Sequence, residues 1–299
     1  MWLQFRVPPE ADGIPLRAFV RQCAVSTDLA RAVKYRGGGF FADGVSVHTD
    51  QIVRAGQAVR FALPPEAAPP MRPQPEIPLR IVWEDAFAAV IDKPAGIAVH
   101  PTLNYPGGTL ANAWSARAQA RGESGVFRPV NRLDKNTSGL LLAAKNMYAA
   151  PLLAGRVQKT YLAAAEGEMP LGPGVFDAPI GRRGDSIIGR CVTPEGKPSR
   201  TEYTVLENRG GIALAACRPV TGRTHQIRVH FSAAGHPLAG DTLYGGHAER
   251  IARHALHCAA LRFCVPDAQL CGDVLEVAVP LRFLEKTAES PLPADMKNL

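Results

Sequence analysis

No Cys-x-x-Cys pair occurs in this 299-residue chain, and its six cysteines (Cys23, Cys191, Cys217, Cys258, Cys264, Cys271) are scattered. That is the pattern of reduced thiols in a reducing compartment, not of a disulfide framework. No run approaches the roughly 18 to 20 apolar residues that a membrane helix needs, and residues 1–12 are too polar for a signal peptide. These absences imply a cytoplasmic protein with no membrane partner. His254, His257 and Cys258 lie close together but lack a second ligand pair, so neither a metal nor a cofactor is expected. Negative charge is also short: 27 Asp and Glu face 34 Lys and Arg, and the net charge of +7 favours a polyanionic partner.

What the chain does have is 46% hydrophobic residues, enough to bury a real core, and a length that suggests two domains. Residues 1–63 read as a small independent α/β module. Leu16, Phe19 and Val20 fall at helical spacing, and Ser26 or Thr27 can cap a second helix carrying Leu29, Ala32 and Val33. Gly37 to Gly39 would end that helix. Asp43-Gly44 then marks a hairpin, and residues 51–63 a closing strand. Arg17 with Arg21, and Arg31 with Lys34, share helix faces, which suits either a solvated surface or phosphate contacts. Residues 64–79 form a linker with seven prolines, stiff enough to hold the module at a distance.

Residues 80–299 would form the second domain. Strands are expected over 81–85 and 88–91, a Lys93-Pro94-Ala95-Gly96 turn follows, and a helix begins at Thr109. The central stretch is residues 128–145. There the apolar run 140–144 reads as a buried strand, and Asp134 sits at its mouth among Arg128, Arg132 and Lys135. A helix is expected from Met147 to about Val157, with Pro151 inside or near its first turn. Tyr161 then enters an apolar strand, a position that more often fills a core. Residues 166–200 are basic loops and hairpins, and 201–206 and 212–217 pair as strands. Residues 219–241 hold a second motif around Arg223, His225 and Arg228. Thr224 can cap a helix there with Ile227, Phe231 and Ala234 on its buried stripe, although alternation permits a strand. The tail, residues 285–299, is expected to be ordered only in part.

Three of these motifs carry a resemblance. Arg132-Leu133-Asp134 followed by Thr137-Ser138-Gly139-Leu140-Leu141 resembles the signature of the RluA-type pseudouridine synthases, with Asn131 where the family has His. Lys93-Pro94-Ala95-Gly96 and the segment Gly222-Arg223-Thr224-His225-Gln226-Ile227-Arg228-Val229-His230, running on to Gly240-Asp241, are similar to further family motifs. The match covers about residues 80–280 closely. Residues 12–63 are loosely similar to a small RNA-binding module shared by a ribosomal small-subunit protein and many RNA-modifying enzymes.

The resemblance implies an α+β fold, with a mixed, largely antiparallel sheet and flanking helices. It also implies isomerisation of uridine to pseudouridine in structured RNA. Asp134, Tyr161 and Arg228 would be catalytic, with Asp134 acting as nucleophile or as the base that removes a ribose proton. Arg132, Arg223, His225, Arg17, Arg21, Arg31 and Lys34 would contact RNA. Large-subunit ribosomal RNA is the first expectation, with transfer RNA or a non-catalytic RNA-binding relative as alternatives, and the protein would act as a monomer. A glycosidase would need a second carboxylate near the scissile bond, and these motifs offer none.

Overall fold

The computed structural model describes residues 1–67, 71–102, 105–184 and 186–299. Its larger sheet has ten strands. Eight run in the order Gly172–Asp177, Arg200–Arg209, Ile212–Pro219, Val157–Glu166, Leu256–Pro266, Ser138–Ala144, Ala88–Lys93 and Arg80–Glu84. Arg128–Pro129 pairs beside Ser138–Ala144, and Phe283–Glu289 beside Leu256–Pro266. The fold is thus mixed α+β and mainly antiparallel, as expected. The parallel pair in this sheet joins Ser138–Ala144 to Leu256–Pro266.

Ser138–Ala144 is buried at every position, which is why its sequence runs apolar without alternation. Its register against Leu256–Pro266 depends on Gly139. That residue has φ +102°, and a Cβ there would stand 2.2 Å from the Cys258 carbonyl oxygen. Only glycine permits both the dihedral and the approach.

The smaller sheet has six strands, ordered Ala268–Cys271, Val274–Val277, Trp2–Arg6, Ala58–Ala62, Phe40–Ala42 and Val45–Val47. Leu16–Gln22 and Thr27–Arg36 form the two expected helices, burying Leu16, Phe19, Val20, Leu29, Ala32 and Val33. The Ser26 hydroxyl accepts from the Leu29 amide at 3.1 Å, satisfying one of the free donors at the helix start. Asp43 and Gly44, both at positive φ, make the tight turn between Phe40–Ala42 and Val45–Val47.

The expectation of an independent module held away by its linker is corrected by three features. Trp2–Arg6 is a strand that buries Leu3 and Phe5, and it pairs in parallel with Val274–Val277 from the far end of the chain. Phe5 and Phe87 both meet the Tyr148 ring, and the Tyr148 hydroxyl donates to the Cys23 carbonyl at 3.0 Å, so one buried cluster spans both sheets. The linker itself is fastened down. Arg72 O accepts from Asn112 Nδ2, Gln74 accepts from the Gly108 amide, and Glu66 pairs with Arg128. Pro69 and Pro70 of the expected linker lie outside the described residues.

Three further elements differ from expectation. The helix after residue 147 covers only Ala149–Leu153, because Gly155 at φ +76° turns the chain and Val157 already belongs to a central strand. The helix of the second motif is Gln226–Ala233, capped at His225 and not at Thr224. The tail is ordered: Phe283–Glu289 pairs along Leu256–Pro266, and Ala294–Lys297 buries Met296. No helix among the described residues is long and apolar enough to cross a membrane.

Candidate active site

The loop that carries Asp134 is held from several sides by backbone contacts. Asn131, 5% exposed, stands where the family resemblance expects His. Its Oδ1 accepts from the Leu142 amide at 2.7 Å, and its Nδ2 donates to Leu140 O at 3.3 Å. One amide thereby ties the start of the loop to the buried strand that follows it, so the departure from the family pattern concerns packing. Asn131→Ala leaves the Leu142 amide unpaired in the interior and is expected to destabilise the protein by about 1–3 kcal/mol, as read by chemical denaturation.

Beneath the loop lies Lys93, fully buried, whose Nζ donates to Pro94 O, Ile97 O and Lys135 O at 2.8, 2.9 and 2.9 Å. Burial pulls its pKa down to about 7 against the attraction of Asp134. The three carbonyl acceptors work against that shift, since only the ammonium supplies three N–H donors. Gly96 N also donates to Lys135 O, and Thr137 N to Asp134 O. The Thr137 hydroxyl meets His254 Nε2 at 2.7 Å. Burial, with the nearby Arg228 charge, depresses His254 to about 3, so this imidazole is neutral and serves as a hydrogen-bonding partner.

The opposite wall comes from Gln226–Ala233. Gln226 is buried and satisfied at both ends: its Oε1 accepts from Thr221 Oγ1 and the Arg223 amide, and its Nε2 donates to Arg200 O and Thr201 Oγ1. This fixes the turn before the helix. His225 occupies the N-cap at φ +57°, a conformation that costs a non-glycine residue energy and tends to persist where a site requires it. On the helix, Arg228 is 7% exposed at the side chain. It donates Nη1 to Asp134 Oδ2 at 3.0 Å, and Nε and Nη2 to the two oxygens of Asp241 at 2.7 and 2.8 Å.

Asp241 is itself buried and follows Gly240, where a Cβ would meet Arg253 O at 2.1 Å. The bidentate pair sets the guanidinium plane and leaves one donor aimed at Asp134. Tyr244 completes the wall. Its ring lies under the guanidinium at 5.0 Å, and its hydroxyl accepts from the Arg190 amide and meets His225 Nδ1 at 2.7 Å. His225 Nε2 then faces Asp134 Oδ2 at 3.8 Å.

Electrostatically, burial works to raise the Asp134 carboxyl, and its neighbours His225 and Arg228 more than offset it, holding the group below the ordinary carboxylate range. Burial also holds His225 below its usual value, against the attraction of Asp134, so the neighbour that stays cationic throughout is Arg228. With 29% of its side chain still exposed, Asp134 is an ionised carboxylate open on one side. Such a group can act as nucleophile or base.

Tyr161 lies on the central strand Val157–Glu166, 7% exposed, opposite Cys217 on one neighbour and Cys258 on the other. Burial, with Cys258 and the Asp134 carboxylate nearby, keeps its phenol protonated far above the ordinary range. A ring contact suits it better than the role of a base.

The residues expected at this site thus separate into two groups. Asp134, Arg228 and His225 are in direct reach of one another, and Tyr161 is within electrostatic reach of Asp134. Arg132, exposed beside Asp134, has no hydrogen bond or ion pair among the described residues. Arg223 is exposed, with its Nε on Pro198 O. Arg17, Arg21, Arg31 and Lys34 are exposed on the helices over the smaller sheet, outside the Asp134 cluster. Asp241, Tyr244, Lys93 and His254 were not assigned a role from sequence. Asp241 and Lys93 stand inside the recognised motifs, but a carboxylate or an amine in a loop does not announce the partner it will meet. Among the described residues no group of three or more His, Cys, Asp or Glu could hold a metal ion.

A sequence model described as RNA pseudouridylate synthase matches residues 88–233. An uncharacterized RNA pseudouridine synthase of Bacillus subtilis is 35% identical, covering 95% of this chain and 97% of the relative. A ribosomal large subunit pseudouridine synthase D of Nitrosomonas europaea is 37% identical over 97% of this chain and 80% of its own length. Among solved structures, human RNA pseudouridylate synthase domain containing 1 superposes with a TM-score of 0.56 at 28% identity, covering 76% of this chain and 89% of that one.

Proposed function

This chain belongs to the RNA pseudouridylate synthase family and is an RNA pseudouridine synthase, an isomerase; from that premise we propose that its target is a uridine of large-subunit ribosomal RNA and that Asp134 is the residue that reacts. The observation that carries the assignment to Asp134 is its position: an ionised carboxylate, partly open, with Arg228 at 3.0 Å. Isomerisation breaks the bond between ribose carbon 1 and uracil nitrogen 1 and joins the same carbon to uracil carbon 5. Nitrogen 1 gains a proton and carbon 5 loses one, so no redox partner is needed. Asp134 takes the part of nucleophile at the ribose, or of the base that removes a ribose proton.

The target base must leave its stack to reach this carboxylate. Arg132, exposed and unpaired among the described residues, serves this reading as the side chain that fills or holds the space the nucleotide vacates. Tyr161 offers the detached uracil a ring contact, and His225 and Arg223 serve this reading as RNA contacts. Excluding water matters, because hydrolysis of the ribose would leave an abasic site.

Ribosomal RNA is supported by relatives named as ribosomal large subunit pseudouridine synthase D, in Nitrosomonas europaea and in Pseudomonas aeruginosa, the latter 36% identical over 97% of this chain. Transfer RNA is the alternative target. The test is a map of pseudouridines in both RNAs from cells with and without the gene. Loss of one or a few sites in large-subunit RNA is expected, and loss confined to transfer RNA would overturn the assignment. The protein would act as a monomer in the cytoplasm.

The four cations of the smaller domain, Arg17, Arg21, Arg31 and Lys34, serve this reading as phosphate contacts, with Tyr35 exposed beside Lys34. Replacing all four by Ala is expected to lower the salt slope of RNA binding by about 2–3, measured by titration at several ionic strengths, while the single-turnover rate at saturating RNA is unchanged.

A further inference from the structure

Two buried cations take the carbonyl oxygens of the two residues that follow Asp134. Lys93 donates to Lys135 O, and Arg253, 9% exposed, donates Nη1 to Asn136 O at 3.2 Å. The same Nη1 also faces His254 O and Leu256 O at 3.1 and 3.2 Å. The rest of the guanidinium is taken by one carboxylate: Nε and Nη2 donate to Asp295 Oδ2 and Oδ1 at 2.7 and 3.0 Å. Asp295 belongs to the short helix Ala294–Lys297, seated by Met296 in a cluster with Ala164, Ile212, Ala239, Ile251 and Ala255. The last residues of the chain therefore reach the Asp134 loop through a single side chain.

A two-point grip on a planar fork fixes its orientation, which a single contact does not. With the plane set by Asp295, Nη1 stays directed at the Asn136 carbonyl. The next residue, Thr137, is already bound to Asp134 O through its amide and to His254 through its hydroxyl. Loop residues 134–137 thus have few ways to shift while Arg253 stays in place. We propose that Arg253 is a positioning residue for Asp134 and that Asp295, in the C-terminal segment, sets its orientation; the inference rests on the reading of Asp134 as the reacting residue. Arg253 touches neither substrate nor the Asp134 side chain, and acts only through the loop backbone.

The test uses the full-length protein with Arg253→Lys, Asp295→Asn and, as a control, Glu285→Gln. Glu285 pairs with Arg262 at 2.9 Å on the exposed part of the same tail, away from the loop. Two readouts are taken: kcat and KM for pseudouridine formation, and hydrogen exchange of the amides of residues 134–138. A small displacement of a reacting group costs up to about 100-fold in rate. Arg253→Lys is expected to lower kcat by about that factor and Asp295→Asn by about tenfold, with KM unchanged and loop exchange accelerated in both. The double variant should be no slower than Arg253→Lys alone, since both remove one device. Glu285→Gln should change neither readout.

If Arg253→Lys fails to fold, Asp295→Asn carries the test. Unchanged loop exchange in Asp295→Asn, or faster exchange with unchanged kcat, overturns the proposal. A wild-type protein that forms no pseudouridine overturns the reading of Asp134 instead, and the exchange data then tell the two failures apart.

Discussion

Asp134→Asn is expected to lower pseudouridine formation by about 10⁴-fold or more, the scale at which loss of a reacting group is felt in other enzymes, while RNA binding persists. The substitution keeps shape and removes charge. An amide oxygen can still accept from Arg228, and Arg228 keeps both of its bonds to Asp241, so the wall of the site has little reason to move. What disappears is the nucleophile or base. Single-turnover assays on a ribosomal RNA transcript, with free uracil measured alongside pseudouridine, check this. Residual conversion near the wild-type rate would remove Asp134 from the mechanism. Uracil released by the wild type would favour glycosidic cleavage, and loss of RNA binding in the variant would favour a non-catalytic RNA-binding role.

Arg228→Met should damage both stability and activity, for separable reasons. Asp241 is 1% exposed at its side chain and loses both of its charged hydrogen bonds. A buried charge left without its partner costs about 3–5 kcal/mol. The double variant Arg228→Met/Asp241→Asn should therefore recover much of the stability and none of the activity. Activity is expected to fall by about 10²–10³-fold, the scale of losing one fixed electrostatic partner at a reacting charge.

The pH dependence gives the sign. In the wild type Asp134 is held below the usual carboxylate range, so the ionised form and its contribution to stability are lost only as pH falls through that depressed value. Without Arg228, burial is opposed chiefly by His225, and the pKa rises. The acid limb of the rate profile should then move to higher pH. An acid limb that stays in place would separate Arg228 from the ionisation of Asp134.

Much of the chemistry was legible because short-range rules govern it. The apolar run 140–144 read as a buried strand, and the cation-rich loop placed Asp134 at its mouth. Arg228 and His225 stood three residues apart in one contiguous motif. The small helices and the Asp43-Gly44 turn were equally plain. The helix boundary at residue 225 was misjudged because Gln226, not Thr224, satisfies the polar groups of the turn, and that depends on Arg200 and Thr201 of a neighbouring strand.

By itself the sequence determined the small helices and the buried strand at 140–144, the Asp134 loop, the basic character of the small domain and the membership in a family of uridine isomerases, because periodicity, turn chemistry and contiguous motifs are local. Only the tertiary structure decided that Asp241 would steer Arg228, that Asn131 would bind the strand it precedes, that Trp2–Arg6 would pair with Val274–Val277, and that Asp295 would reach the loop through Arg253. Each of these contacts joins residues whose partner is fixed by the packing of whole sheets. Their side chains are ordinary in sequence and acquire a partner only when burial leaves a charge or an amide nowhere else to turn.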